Sequence, residues 1–254
     1  MQDCYAGDIG DFGKYGLLRA LCGDDLRLGV LWYAFEGDRK QAPNDGKHTS
    51  YVHSGPDGHF AQCDPELFEL MRTIICEGKR SIGEIEKSGA LPEDTLYFSD
   101  PLTFRDIRPG EARALRRQAW MQNAQKAVAA ASVVFVDPDN GIETASVARL
   151  TAKGPKYVYH DDIRALLDGN RSVIVYHHLG RQTHQAQIEG RLLELRARLP
   201  QASSAFALRF RRGTARAYFV LPAERHAGLL RARAVELLSS PWGTNEHFDQ
   251  AVYE

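Results

Sequence analysis

Ser132-Val133-Val134-Phe135-Val136-Asp137-Pro138-Asp139-Asn140-Gly141 is an unbroken apolar run that stops in carboxylates, a proline and a glycine. A continuous rather than alternating apolar run of this length predicts a strand buried on both faces, the pattern of parallel sheets covered by helices. Residues 28–35 (Leu-Gly-Val-Leu-Trp-Tyr-Ala-Phe) and 172–176 (Ser-Val-Ile-Val-Tyr), the latter ending at His177-His178, repeat it. A long amphipathic helix is predicted over 109–131, with Leu115, Ala119, Met121 and Val128 among its apolar positions, and a shorter one over 163–167, capped by Asp161 or Asp162. Strands separated by helices predict a doubly wound, mostly parallel α/β sheet of Rossmann-like architecture.

The flanking segments extend this reading. Residues 15–21 form a helix stopping near Gly23. Asp64 caps a helix over 65–76 with Pro65 in its first position. A second short helix spans 81–88 and a short strand 95–99. A polar stretch from Glu36 to about Gly58 is too long for a simple turn, so 36–94 reads as a polar loop with a small helical insertion. Residues 156–160 form a short strand or turn, and 185–199 a helix stopped by Pro200. Segments 205–210 and 215–221 flank Arg211-Arg212-Gly213-Thr214 as a C-terminal antiparallel hairpin, and a last helix covers 224–238. No repeat or linker interrupts the chain, and residues 1–254 read as one α/β domain.

Composition narrows the classes. The 254 residues carry 32 Lys plus Arg against 33 Asp plus Glu, a net charge of −1, with 43% hydrophobic and 26% charged residues. That excludes disordered, collagen-like and disulfide-scaffold chains. No apolar window is long enough to cross a membrane, and the start carries neither the basic nor the apolar region of a signal peptide. Cys4, Cys22, Cys63 and Cys76 form no Cys-x-x-Cys pair. A cytoplasmic protein with reduced thiols is expected. The balanced charge hides a basic block: Arg181 to Arg233 holds eleven Arg, no Lys and three Glu, a net of +8. Guanidinium groups bind phosphate oxygens bidentately, so Arg209, Arg211, Arg212 and Arg216 on the hairpin, interleaved with Phe210, Tyr218 and Phe219, are candidate nucleic-acid contacts. The structural alternative is a solvated helix and hairpin.

In open α/β sheets ligands bind at the carboxyl ends of strands. Here those ends deliver Glu36-Gly37-Asp38, Asp100-Pro101, Asp137-Pro138-Asp139-Asn140 and His177-His178. Adjacent His177 and His178 point to opposite sides of a strand, so at most one lines a site. The stretch Ala6-Gly7-Asp8-Ile9-Gly10-Asp11-Phe12-Gly13-Lys14-Tyr15 is not a P-loop: five residues separate Gly7 from Gly13-Lys14, and Tyr15 replaces the hydroxyl residue. The dinucleotide fingerprint is also missing. The glycines permit close backbone approach, with Asp8, Asp11 and Lys14 available to a ligand. A metal reading stays open, with Asp137, Asp139, Glu143, His160, Asp161, Asp162, His177 and His178 as oxygen and imidazole ligands for a divalent ion in a phosphodiesterase or nuclease.

The run Val133–Asp137 followed by Pro138 resembles motif IV of class I S-adenosylmethionine-dependent methyltransferases, whose amino-nitrogen branch carries Asp/Asn/Ser-Pro-Pro-aromatic. Asp139 and Asn140 stand where that branch has the second proline and the aromatic ring. Ala6-Gly7-Asp8 and Phe12-Gly13-Lys14 resemble the opening of ribosomal-RNA adenine methyltransferases, and residues 206–219 resemble the antiparallel last strand of that fold. The opening paired with Asp-Pro-Asp-Asn-Gly is also similar to a bacterial family of unassigned activity. The resemblance implies a methyltransferase-like protein acting on nucleic acid. It places Asp137, Asp139, Asn140 and His178 at the reacting group, and Tyr5, Gly7, Asp8, Asp11, Lys14, Glu36, Asp38 and Asp100 at the S-adenosylmethionine. A third possibility is a non-catalytic nucleic-acid binder on a degenerate form of the same fold.

Overall fold

The structure is a computed structural model that describes residues 3–34, 46–55 and 57–250. The strands are β1 (Leu28–Trp32), β2 (Leu96–Phe98), β3 (Val133–Asp137), β4 (Gly141–Ile142), β5 (Tyr157–Val158), β6 (Ser172–His178), β7 (Phe206–Phe210), β8 (Arg216–Leu221) and β9 (Phe248–Gln250). The helices are α1 (Ile9–Cys22), α2 (Pro65–Cys76), α3 (Ile82–Lys87), α4 (Glu111–Ala127), α5 (His160–Leu167), α6 (His184–Arg198), α7 (Ala227–Ser239) and α8 (Pro241–Thr244). Seven strands make a mixed, largely parallel sheet in the order β2-β1-β3-β6-β8-β7-β9, while β4 and β5 pair separately. This is an α/β fold compatible with Rossmann-like architecture.

Direction reverses at β1. The chain moves from β1 to β2 on one side and then crosses to β3 on the other. Crossovers of constant hand that reverse direction must lie on opposite faces of the sheet. Accordingly Leu67, Phe68 and Ile85 of α2 and α3 join one core, whereas Trp120 and Ala124 of α4 join the other. The helices expected as an insertion are therefore the crossover layer between β1 and β2. Trp32 and Asp137, the last residues of β1 and β3, are register partners at this reversal.

Strand alternation sorts the side chains between the two cores. Val133 and Phe135 of β3 face α1, α2 and α7, with Ile174 of β6 and Tyr218 and Val220 of β8. Val134, Val136, Val173, Val175, Ala217 and Phe219 face α4, α5 and α6. The antiparallel hairpin expected at the C-terminal end of the chain does not form the edge of the sheet. β8 inserts beside β6, antiparallel to it, β7 lies beyond, and β9 covers β7. Phe248-Asp249-Gln250 carries one apolar residue in three, too short a pattern to announce a strand. Helix α4 also differs from expectation. Leu115 is 57% exposed and Ala119 is exposed, while Arg117, Trp120, Met121 and Ala124 form the buried stripe. No helix among the described residues is long and apolar enough to cross a membrane.

Helix α1 is buried along nearly its whole length, and its glycines explain how. A Cβ on Gly13 would lie 2.5 Å from the Phe210 ring, and one on Gly16 would lie 2.1 Å from the Trp242 ring. Gly13 thus admits Phe210 of β7, and Gly16 admits Trp242 of α8. Gly16→Ala is therefore expected to cost about 1–3 kcal/mol by overpacking. Gly190→Ala in mid-α6, where a Cβ meets nothing within 4 Å, should add about 0.5–1 kcal/mol by restricting the unfolded chain. Chemical denaturation measures both, and a stabilised Gly16→Ala variant would refute the packing account.

Candidate functional site

Asp8 begins the site. It is the N-cap of α1, and its Oδ1 accepts the Asp11 backbone N–H at 2.9 Å. One turn in, Asp11 collects three donors: the Gly7 N–H at 3.2 Å, the Tyr15 hydroxyl at 2.9 Å and the Lys14 ammonium at 2.8 Å. Lys14 Nζ also donates to Asp137 Oδ2 at 3.0 Å, joining α1 to the end of the inner strand β3. All three charged groups are buried. Burial opposes charge on Lys14, but the carboxylates of Asp11 and Asp137 outweigh it and hold the ammonium above its ordinary pKa. Burial pushes the Asp11 carboxyl up, although Lys14 pulls the other way.

Above this floor opens a cavity of about 440 Å³, lined among others by Tyr5, Asp8, Asp11, Lys14, Asp137 and Asp139. Asn140, Lys156, His48, Tyr176, His178, Thr214 and Arg216 complete most of its wall. The volume suits a small ligand or cofactor, within the roughly 300–1,000 Å³ of such sites. Asp139 is paired with Lys156 at 2.8 Å. His178 and Arg216 are cross-strand partners of β6 and β8. Burial and then the Arg216 charge lower the His178 pKa, which keeps the imidazole neutral and able to accept a proton. Burial raises the Tyr176 hydroxyl, so it remains a donor at neutral pH.

Several expected residues lie elsewhere. Asp100 is exposed at the end of β2 and does not line this cavity. Gly7, at φ 79°, serves the backbone turn: its N–H donates to Asp11 Oδ2 and its carbonyl accepts the Tyr51 hydroxyl. Glu36 and Asp38 lie outside the described residues. His177 faces away from Tyr176 and His178, as strand alternation requires. Its Nδ1 accepts the Ile142 N–H at 3.1 Å, and Gly141 at φ 94° lets the loop sit close enough for that bond. Burial first, then Arg191 and His178, lower its pKa to about 3.

The candidate metal ligands separate in the same way. Asp162 accepts from Arg117, Arg149 and the Tyr159 N–H, while Asp161 pairs with Arg149 and Arg164. The cap of α5 is thus Tyr159, with Asp162 reaching back to it. Glu143 accepts the His160 N–H and lies 2.5 Å from His160 Nδ1, outside the cavity. Among the described residues no group of three or more His, Cys, Asp or Glu is placed to hold a metal ion.

The arginines of the hairpin are divided too. Arg209 forms an ion pair with Asp249, Arg212 donates to His247 Nδ1 and the Asn245 carbonyl, and Arg211 stands 3.6 Å from Glu246. Arg216 instead is buried in the cavity wall. Sequence reasoning missed Tyr176, Lys156, His48 and Thr214 as lining residues. For Tyr176 the signal existed, since it lies two residues before His178 on the same strand face. His48 arrives through a loop contact, the Ile9 N–H donating to its carbonyl at 2.9 Å, which no local pattern announces.

No family model matches the chain, and no curated protein matches it.

Lys14→Met removes the counter-ion shared by two buried carboxylates and should cost about 3–5 kcal/mol. The loss should shrink on acidification. Burial already raises the folded Asp11 pKa against the pull of Lys14, and without Lys14 it rises further, so the variant is penalised more above that pKa and regains more stability as the pH falls through it. Denaturation curves across the acid range check both points. His177 behaves oppositely. Its folded pKa of about 3 lies below the ordinary 6.5, so the stability it contributes is full above pH 6.5 and is lost as the pH falls toward 3. The expected slope is on the order of 1 kcal/mol per pH unit. His177→Asn, which keeps an acceptor for Ile142, should flatten it; an unchanged slope would count against the assignment.

Proposed function

We propose that the chain is an S-adenosylmethionine-dependent methyltransferase acting on an amino group of a nucleic-acid base. The observation that carries this reading is the position of Asp137. It ends β3, beside the reversal of strand order at β1, and Pro138, Asp139 and Asn140 follow it around one cavity. Such reversals are where open α/β sheets bind ligands. The placement of β8, antiparallel between β6 and β7, also supports the reading, since the resemblance implies a reversed last strand.

The donor set fits the cofactor. S-adenosylmethionine carries a sulfonium, an ammonium and a carboxylate, a net positive charge. Asp8, Asp11, Asp137 and Asp139 against Lys14, Lys156 and Arg216 leave the cavity one net negative charge. Asp8, Asp11 and Lys14 would hold the group; bound there, it supplies an electrophilic methyl group. Asp137 would accept a hydrogen bond from the acceptor amine and orient its lone pair. Lys14 keeps that carboxylate in position through its 3.0 Å contact. The neutral His178 imidazole would take the proton that the alkylated nitrogen releases. Arg209, Arg211 and Arg233 of the Arg181–Arg233 segment are answered by Asp249, Glu246 and Asp25, and the part of its charge left over favours a polyanionic acceptor.

The test is calorimetric titration with S-adenosylmethionine in EDTA, followed by transfer of labelled methyl to nucleic acid. Micromolar binding is expected. Asp137→Ala should keep that binding and lower transfer by about 100-fold or more, the scale of losing a positioned catalytic group. No binding at millimolar ligand, or full transfer by Asp137→Ala, would overturn the proposal.

A further inference from the structure

Every carboxylate lining the cavity has a donor: Asp8 the Asp11 N–H, Asp11 and Asp137 the Lys14 ammonium, Asp139 the Lys156 ammonium. Arg216 differs from the two lysines. It is 7% exposed, yet its hydrogen-bond partners are neutral: Nε donates to the Thr214 carbonyl at 3.1 Å and Nη2 to Thr214 Oγ1 at 2.9 Å. Among the described residues no carboxylate lies within 4 Å of it; Asp8 and Asp11 act on it only from farther away. Burying a guanidinium without a counter-ion is costly, and an anion in direct contact relieves that cost. The guanidinium lies in the cavity wall beside the Thr214 hydroxyl, with His178 as its cross-strand neighbour.

The geometry points to an oxyanion subsite at Arg216, which takes a phosphate group of a nucleotide ligand through the planar guanidinium fork. This deepens the methyltransferase reading by naming what the acceptor presents beside its base, but the subsite itself needs no methyl donor. Gly10 provides an independent handle. A Cβ on Gly10 would fall 1.3 Å from Arg216 Nη1, so alanine there displaces the flexible end of Arg216 without deleting it.

The probes are adenosine 5′-monophosphate, adenosine and inorganic phosphate, titrated into the full chain without S-adenosylmethionine. The monophosphate should bind at least tenfold more tightly than the nucleoside. Arg216→Gln and Gly10→Ala should both abolish that preference, and Arg216→Lys, which keeps the charge but not the fork, should retain part of it. Thermal melting of each variant establishes that it is folded, and Gly10→Ala keeps the test open if Arg216→Gln is not. Equal affinity of the wild type for nucleotide and nucleoside overturns the proposal. So does a preference that survives in folded Arg216→Gln. Weakened S-adenosylmethionine binding in these variants with the phosphate preference intact overturns it as well, because Arg216 then holds the cofactor carboxylate. Phosphate preference without any S-adenosylmethionine binding upholds the subsite and removes the methyltransferase reading alone.

Discussion

One ammonium group ties together segments 123 residues apart. Lys14 Nζ sits between Asp11 of its own helix and Asp137 at the end of β3, and none of the three is solvated. A buried lysine survives only if its charge is answered, and two carboxylates more than answer it. That geometry fixes where α1 lies on the sheet, since a helix shifted by one residue would turn Lys14 away from the strand end. The glycines on the same helix serve the fit: without side chains at 13 and 16, Phe210 and Trp242 can enter and α1 can come close enough for the lysine to reach.

The same constraint shapes the cavity. With the Asp11 and Asp137 charges engaged beneath it, the floor is polar but mostly satisfied, and specificity passes to the wall. The wall comes from the far side of the sheet, from β6 and the reversed strand β8, where His178 and Arg216 are register partners. Insertion of β8 between β6 and β7 therefore does more than close the sheet, because it carries a buried guanidinium up to the carboxyl ends of the parallel strands. Burial, and then the like charge of Arg216, keep His178 neutral, so one pairing supplies both a cation and a proton acceptor.

The arginine-rich segment shows how composition and contact diverge. Its net +8 is a fact of the sequence, yet Arg209 and Arg212 meet partners 33–40 residues downstream, at Asn245, His247 and Asp249. Those partners belong to a strand and turn whose short pattern gave no signal. Similarly, Asp161 and Asp162 look like metal ligands beside His160, but Arg117 and Arg149, brought in from α4 and the loop before β5, claim Asp162.

Local physics was legible from the residues alone. Asp64 and Pro65 begin α2 as predicted because capping depends on adjacent backbone groups. The period of two in β6 separates His177 from His178 because successive side chains must leave a strand on opposite faces. The continuous apolar runs declare strands covered on both sides, hence a layered α/β fold. What the residues alone leave open is the meeting of distant parts: which strand lies beside which, whether an arginine finds a carboxylate, and whether a glycine faces a ligand or a tryptophan. Sheet order and the burial of charge are decided by contacts over scores of residues, whose energies depend on three-dimensional proximity and desolvation. Sequence spacing encodes neither, so Asp137 was visible as a strand-end carboxylate, while its lysine and the Arg216 wall above it belong to the tertiary structure.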